Sequence, residues 1–293
     1  MDSFLFNLLK YTLYVWALLP FRALYVISDL LYYPLYYVIR YRRKVVRSNM
    51  ESSFPDKTEA EIIRLEKAFY HHFCDYVMET IKLMHVSDEE MERRVRYTNP
   101  EVLEDMMHSG KSVFAMLGHY GNWEWITTVT RFQYDPVCMA QIYRPLRNKA
   151  ADKFFLKLRA RFHSEGIAKN DTLRAIMKMY RDGRQFVIGF IADQTPSKNN
   201  LHYWTPFLNH DTAVLTGAEK IARKVNADVL YMDMRKVKRG YYEVTFKVIS
   251  EESKSTSEFE ITEKYIREME KTILSAPQYW LWTHKRWKHK REA

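Results

Sequence analysis

Ser112-Val113-Phe114-Ala115-Met116-Leu117-Gly118-His119-Tyr120-Gly121-Asn122-Trp123-Glu124-Trp125 is a short apolar run that breaks into a polar turn bounded by two glycines. An apolar run of this length, closed at once by glycine, predicts a buried strand over residues 112–117. Asn122 is a good N-cap residue, and the pattern after it predicts a helix over residues 123–132. The stretch is therefore a strand, a tight turn and a helix, the unit from which parallel sheets are built.

Working outward, the same alternation recurs. The spacing predicts strands at residues 136–140, 186–192, 229–234 and 242–249, and helices at residues 148–163, 172–181 and 213–224. Before the quoted stretch, Ile62, Leu65, Phe69, Phe73, Tyr76, Val77, Ile81 and Met84 recur at helical spacing, which predicts a long amphipathic helix over residues 58–84. The expected fold is α/β, a mostly parallel central sheet flanked by helices.

The turn carries the chemistry. On an unbroken helix, positions five apart point about 140° away from each other, so His119 and Glu124 meet only if a turn separates them. Gly118 and Gly121 permit that turn, and Glu124 then falls in a first helical turn, where the macrodipole favours a carboxylate. A carboxylate that accepts a hydrogen bond from one imidazole nitrogen fixes the tautomer and leaves the other nitrogen as a base. The alternative is a structural turn capped by His119, with Glu124 paired to a lysine. No Ser, Cys or Thr lies between the two residues, and the chain has no Gly-x-Ser-x-Gly elbow. Direct attack by a bound hydroxyl thus fits better than a covalent acyl-enzyme.

The chain has 293 residues, 47% of them hydrophobic, enough for one catalytic domain and a short appendage. Its net charge of +10 favours anionic partners: nucleic acid, anionic lipid headgroups or an acidic protein. Cys74 and Cys138 are the only cysteines and lack metal-ligand spacing, so neither a disulfide framework nor a metal site is expected, and the catalytic part fits a reducing compartment. Two apolar runs, residues 4–21 and 23–39, are interrupted by Asn7, Lys10, Arg22, Asp29 and Pro34, and the basic cluster Arg40-Tyr41-Arg42-Arg43-Lys44 follows them. Neither run is a clean span: we expect an N-terminal apolar helical membrane anchor with a basic flank over residues 1–45, tilted across the bilayer or lying in its interface, with a buried core hairpin as the alternative. The catalytic domain is then residues 46–293 and faces the cytoplasm by the positive-inside rule.

Gly118-His119-Tyr120-Gly121-Asn122-Trp123-Glu124, Tyr143-Arg144-Pro145-Leu146, Asp193-Gln194, Phe207 with Thr216-Gly217, and the segment from Trp282 to Lys288 together resemble, in order and spacing, the late acyltransferases of lipid A biosynthesis. These are a branch of the lysophospholipid acyltransferase superfamily, whose first block is a His, four residues and an acid. The cluster at Arg40, followed by Asn49 and Phe54-Pro55, is similar to the same branch, so the resemblance covers nearly the full length. The glycerolipid branch usually has Asp where Glu124 stands, and its Glu-Gly-Thr-Arg block has no counterpart here. Leu208-Asn209-His210 stands where the lipid A branch tends to have a glycine.

The resemblance implies a glycerol-phosphate-acyltransferase-like fold and an acyltransferase that needs no cofactor. His119 would deprotonate a hydroxyl of a lipid A precursor, a glycolipid acceptor, as it attacks an acyl carrier protein thioester. Glu124 would stabilise the imidazolium. Backbone amides near Gly121 and Asn122 are candidate oxyanion donors. Arg144 follows a predicted strand and can bind a phosphate on the acceptor or on the carrier arm, or form a surface salt bridge. Asp193-Gln194 follows another strand at the same sheet edge. Asp193 there can orient Arg144, hold the site loop, or cap a turn before Thr195-Pro196. The tail from Thr283 to Arg291 mixes cations with an aromatic ring, for which membrane lipid or an acidic carrier is preferred over nucleic acid. The implied location is the inner membrane. Two other readings stay open: an O-acyltransferase acting on a lysophospholipid or amino-acid lipid, and a non-catalytic basic membrane-binding protein.

Overall fold

The computed structural model describes residues 3–145, 148, 152, 156 and 160–291. The chain opens with helices α1 (Ser3–Leu18) and α2 (Phe21–Tyr33), a π-helical turn (Pro34–Ile39) and α3 (Arg43–Ser53). Helix α4 (Glu59–Lys82) starts at a capping box. Thr58 accepts from the Glu61 amide, and the Glu61 carboxylate accepts from the Thr58 amide. Two of the otherwise unpartnered donors are thereby satisfied. After α5 (Asp88–Arg94), β1 (Val95–Tyr97) and α6 (Glu101–His108) comes the quoted stretch, as β2 (Val113–Leu117), the turn, and a 3-10 helix (Trp123–Phe132).

The remaining elements are β3 (Cys138–Tyr143), β4 (Glu165–Ala168), α7 (Thr172–Arg181), β5 (Phe186–Ile191), the hairpin β6 (Trp204–Phe207) and β7 (His210–Ala213), α8 (Gly217–Val225), β8 (Asp228–Lys238), β9 (Tyr241–Ser250) and α9 (Glu260–Ser275). Among the described residues seven strands make one sheet in the order β1-β9-β8-β2-β5-β3-β4, in which every pairing except β8 with β9 is parallel. The expected α/β architecture is present. β2 is buried at all five positions, as a central parallel strand covered on both faces must be.

Several boundaries differ from the expectations. The helix expected over residues 213–224 begins only at Gly217, because β7 uses His210–Ala213. β4 and the small hairpin are not expected from the sequence, since four-residue strands carry too few positions to show a period. The helix expected over residues 148–163 falls largely outside the described residues.

The N-terminal membrane anchor is not borne out: among the described residues no helix is long and apolar enough to cross a membrane. The apolar tract is divided at Leu19–Pro20 into helices of 16 and 13 residues. At about 1.5 Å per residue, each falls short of the roughly 30 Å hydrocarbon layer. Helix α2 also turns Phe21, Leu24, Ser28 and Tyr32 inward, so one of its faces belongs to the protein core.

What holds these N-terminal helices is a polar stripe on α4. His72, Asp75, Glu79 and Lys82 recur at intervals of three and four residues, share one helix face, and are buried. The Lys82 ammonium donates to the Ala17 and Leu19 carbonyls at the end of α1. The Asp75 carboxylate accepts from Ser28 of α2 at 2.7 Å and from Arg239 of the β8–β9 turn at 2.6 Å, and pairs with Lys236 at 3.4 Å. Asp75 and Lys236 are only 7% and 6% exposed, so removing the carboxylate charge leaves the buried Lys236 ammonium uncompensated. Asp75→Asn should therefore lower the unfolding free energy by about 3–5 kcal/mol, measured by chemical denaturation. A loss under about 1 kcal/mol would mean that this cluster behaves as a solvated surface pair.

Candidate active site

Parallel register creates the site. Leu117 of β2 is level with Ile191 of β5. The residues two further on, His119 and Asp193, thus leave neighbouring strand ends at the same height. Their side chains meet: His119 Nδ1 lies 2.7 Å from Asp193 Oδ1, and the His119 amide donates to Asp193 Oδ2 at 2.9 Å. A third donor, the Trp280 indole N–H, reaches Oδ2 at 2.7 Å.

The electrostatics follow from those donors. Burial alone pushes the Asp193 carboxyl up, but the His119 ring, the indole and the His119 amide together outweigh it and hold the group at about 2. Asp193 is therefore a carboxylate at neutral pH, and Nδ1 carries the proton donated to it. In the neutral form of the ring, Nε2 is then the nitrogen that carries the lone pair. The His119 side chain is 19% exposed against 1% for Asp193, so the ring alone reaches the solvent side. The Gln194 amide nitrogen stands 3.3 Å from Nε2, in a position that an incoming hydroxyl would take. Trp123 lies edge-on to the imidazole at 5.1 Å and is stacked in turn on Tyr76.

The turn is fixed from three sides. Gly118 packs so closely on α9 that a Cβ there would overlap Met269, and Gly121 has a φ of +59°. The chain segment after α9 pairs with the turn: Leu281 donates to the His119 carbonyl and Gly121 donates to the Tyr279 carbonyl. From α4, the His72 Nε2–H donates to the Gly121 carbonyl at 3.1 Å, and burial keeps that imidazole neutral. Glu79 accepts from the Asn122 side chain and from Tyr242, each at 2.8 Å.

The sequence-derived candidates separate accordingly. His119, Asp193 and Gln194 come together. Glu124 is nearly buried in the first turn of the 3-10 helix, and it is Asp193 that makes the Nδ1 contact. The Gly121 amide is taken by Tyr279, and the Asn122 side chain is fully buried against Glu79, so both shape the turn. Arg144 follows β3 at the same sheet edge and is exposed. Trp280, His72 and Glu79 were not expected from the sequence. The signal for the last two was present as polar residues at helical spacing within an otherwise apolar helix.

A narrow cavity of about 60 Å³ is lined by Leu117, Trp123, Ile126, Met139, Gly189 and Ile191, and Trp123 joins it to the imidazole. A basic residue held by a buried carboxylate, next to an apolar slot, suits proton abstraction from a hydroxyl near an apolar chain.

Comparison with known families is in line with that chemistry. Residues 2–289 match the model of the bacterial lipid A biosynthesis acyltransferases. The chain belongs to this family. No curated protein matches it as a relative. Membership makes the protein an acyltransferase, with an acyl donor and a lipid acceptor as substrates. The acyltransferase therefore has two ligands to place at one sheet edge, and the apolar slot and the exposed Arg144 offer it different chemistry there.

The Asp193 contacts set a pH dependence. Its pKa is depressed on folding, from about 3.9 in an unfolded chain, so the stabilisation is fully present above that value and is lost as pH falls through about 2. Trp280→Phe removes one donor while keeping the ring, which should cost about 1–3 kcal/mol and make acid unfolding, followed by circular dichroism, begin at higher pH. An unchanged acid transition would show that the indole contact contributes nothing to the carboxylate.

Proposed function

We propose that the protein transfers a fatty acyl group from an acyl carrier protein thioester to a hydroxyl of a lipid A precursor, at the cytoplasmic face of the inner membrane. The observation that carries this reading is the His119–Asp193 pair, in which Nδ1 faces the buried carboxylate and the ring lies edge-on to Trp123, a wall of the apolar slot. The acceptor hydroxyl displaces the Gln194 amide and gives its proton to Nε2 as its oxygen attacks the thioester carbonyl. The tetrahedral intermediate collapses with loss of the thiolate, and the imidazolium returns the proton to that sulfur. Asp193 steadies the charged ring through this cycle without taking the proton.

In this reading Asp193 does the orienting that the sequence alone assigned to Glu124. Glu124 supplies a second negative charge in the first turn after the loop. Arg144 meets a phosphate of the acceptor or of the carrier arm, for which an exposed guanidinium at the sheet edge is suited. The apolar slot takes the acyl chain, for which its walls must part beyond the volume of about 60 Å³ seen here. Gly189 lines it in mid-strand, and a Cβ there would meet nothing closer than 3.8 Å, so a larger side chain would project into the chain's space. The basic surface favours an acidic carrier as donor, and the cluster after residue 39 favours the anionic lipid surface of the leaflet that faces the cytoplasm.

His119→Ala should lower transfer by about 10²–10⁴-fold with the fold intact, and Asp193→Asn by a similar factor because it favours the wrong tautomer. Glu124→Gln should be milder than either. Mass spectrometry of lipids after incubation with acyl carrier protein or acyl coenzyme A donors checks both rate and product. Near-wild-type transfer by His119→Ala would end this mechanism, and equal rates from both donors would end the carrier preference.

Gly189→Leu should shift the preferred donor toward shorter acyl chains in a donor series. An unchanged chain preference would place the acyl chain elsewhere.

A further inference from the structure

A larger cavity, about 360 Å³, opens where the chain passes from α1 to α2. Its polar lining is Arg22, Lys82, His85, Ser87, Glu90 and Arg94, with Phe21 as an aromatic wall. It is separate from the His119 site. Lys82 lies ten residues along α4 from His72, which is about 15 Å at the helical rise.

The charges in this cavity do not balance. With His85 neutral, three cations (Arg22, Lys82 and Arg94) face one carboxylate, Glu90, and that carboxylate is shared with Arg93 outside the lining. The neighbouring acids Asp88 and Glu89 are exposed and do not line the cavity. Lys82 and Arg94 are also withdrawn from water, at 8% and 7% exposed. Burial pulls the Lys82 pKa down, Glu90 offsets part of that, and Arg94 pulls the same way as burial. Glu90 pairs with Arg94 and cannot also neutralise Lys82 and Arg22, so the hollow keeps an excess of positive charge that an anion would lower.

The donors suit a particular anion. Lys82 spends two of its three N–H groups on the Ala17 and Leu19 carbonyls. Arg94 gives Nε to Glu90 at 2.7 Å and Nη1 to the Gly240 carbonyl at 3.0 Å, and its guanidinium carbon sits 3.5 Å over the Phe21 ring. Both side chains are thus held in place, with a fixed ammonium on one side and a fixed guanidinium on the other. The rim adds the exposed Arg22 and His85, and the His85 ring meets Tyr14 of α1 edge-on at 6.4 Å. A fixed guanidinium offers paired N–H groups and a fixed ammonium a point charge, and both bind phosphate oxygens.

We propose that this cavity is a binding site for a phosphate group, carried by an anionic lipid headgroup or free in solution. The site is independent of the acyl-transfer reading, since none of its residues touches the His119 turn.

Binding to the purified full-length protein tests it. One arm compares thermal unfolding in inorganic phosphate and in chloride at equal ionic strength. The other compares co-flotation with phosphatidylcholine vesicles against the same vesicles containing phosphatidic acid. The variants are Lys82→Gln, its conservative partner Lys82→Arg, and Arg22→Gln, whose exposed position leaves packing untouched. We expect phosphate-dependent stabilisation, or preference for phosphatidic acid, to weaken about tenfold in Lys82→Gln and Arg22→Gln and to persist in Lys82→Arg. An effect confined to vesicles identifies a headgroup as the source, and one confined to inorganic phosphate identifies the free ion. Equal behaviour of phosphate and chloride together with equal flotation on both vesicles, or an effect that Arg22→Gln and Lys82→Gln leave unchanged, would overturn the proposal.

Discussion

Everything in the site depends on one carboxylate receiving three hydrogen bonds. Asp193 is buried, and a buried charge without partners would abandon its proton-free form. The His119 ring, the His119 amide and the Trp280 indole prevent that, two of them from one residue at the end of β2 and the third from the segment after α9. The strand register brings the first two together and the segment after α9 brings the third. Because the ring and the amide of one residue grip both carboxylate oxygens, the imidazole cannot rotate without losing a bond. The rigidity of the base is therefore a consequence of sheet pairing, and it costs no extra element.

The α4 stripe performs a second fixing task at a distance. His72 and Glu79 hold the turn, Asp75 and Glu79 hold α2 and the β8–β9 hairpin, and Lys82 holds the end of α1. One helix face thus links the N-terminal helices to the loop that carries His119. This explains why the apolar N-terminal tract does not stand apart as an anchor. Its inward face is fastened by buried polar groups that would be left unpaired if it moved away.

The sequence made the sheet legible because buried parallel strands are short apolar runs closed by turns, and β2 and β5 follow that rule to within a residue. The long helix α4 was legible from its apolar positions, yet its polar stripe was passed over because an apolar count ignores the residues between. The acid partner of His119 was visible only in part. Asp193 stood at the right strand end, but that it faces His119 depends on β2 and β5 being neighbours, which strand order in the sequence does not state. Trp280 was hidden for a stronger reason. It reaches the site from the far end of the chain, and nothing local to it marks an indole as a hydrogen-bond donor to a carboxylate 87 residues away.

The central claim is that Asp193 fixes the His119 ring with its proton on Nδ1 and its lone pair on Nε2. The most direct measurement is ¹⁵N NMR of the histidine-labelled protein, with the His119 signals assigned by comparison with His119→Gln. The account predicts a protonated Nδ1 and an unprotonated Nε2 at neutral pH, retained in Glu124→Gln and lost in Asp193→Asn. A proton on Nε2 in the unmodified protein, or a tautomer that follows Glu124 and ignores Asp193, would contradict it.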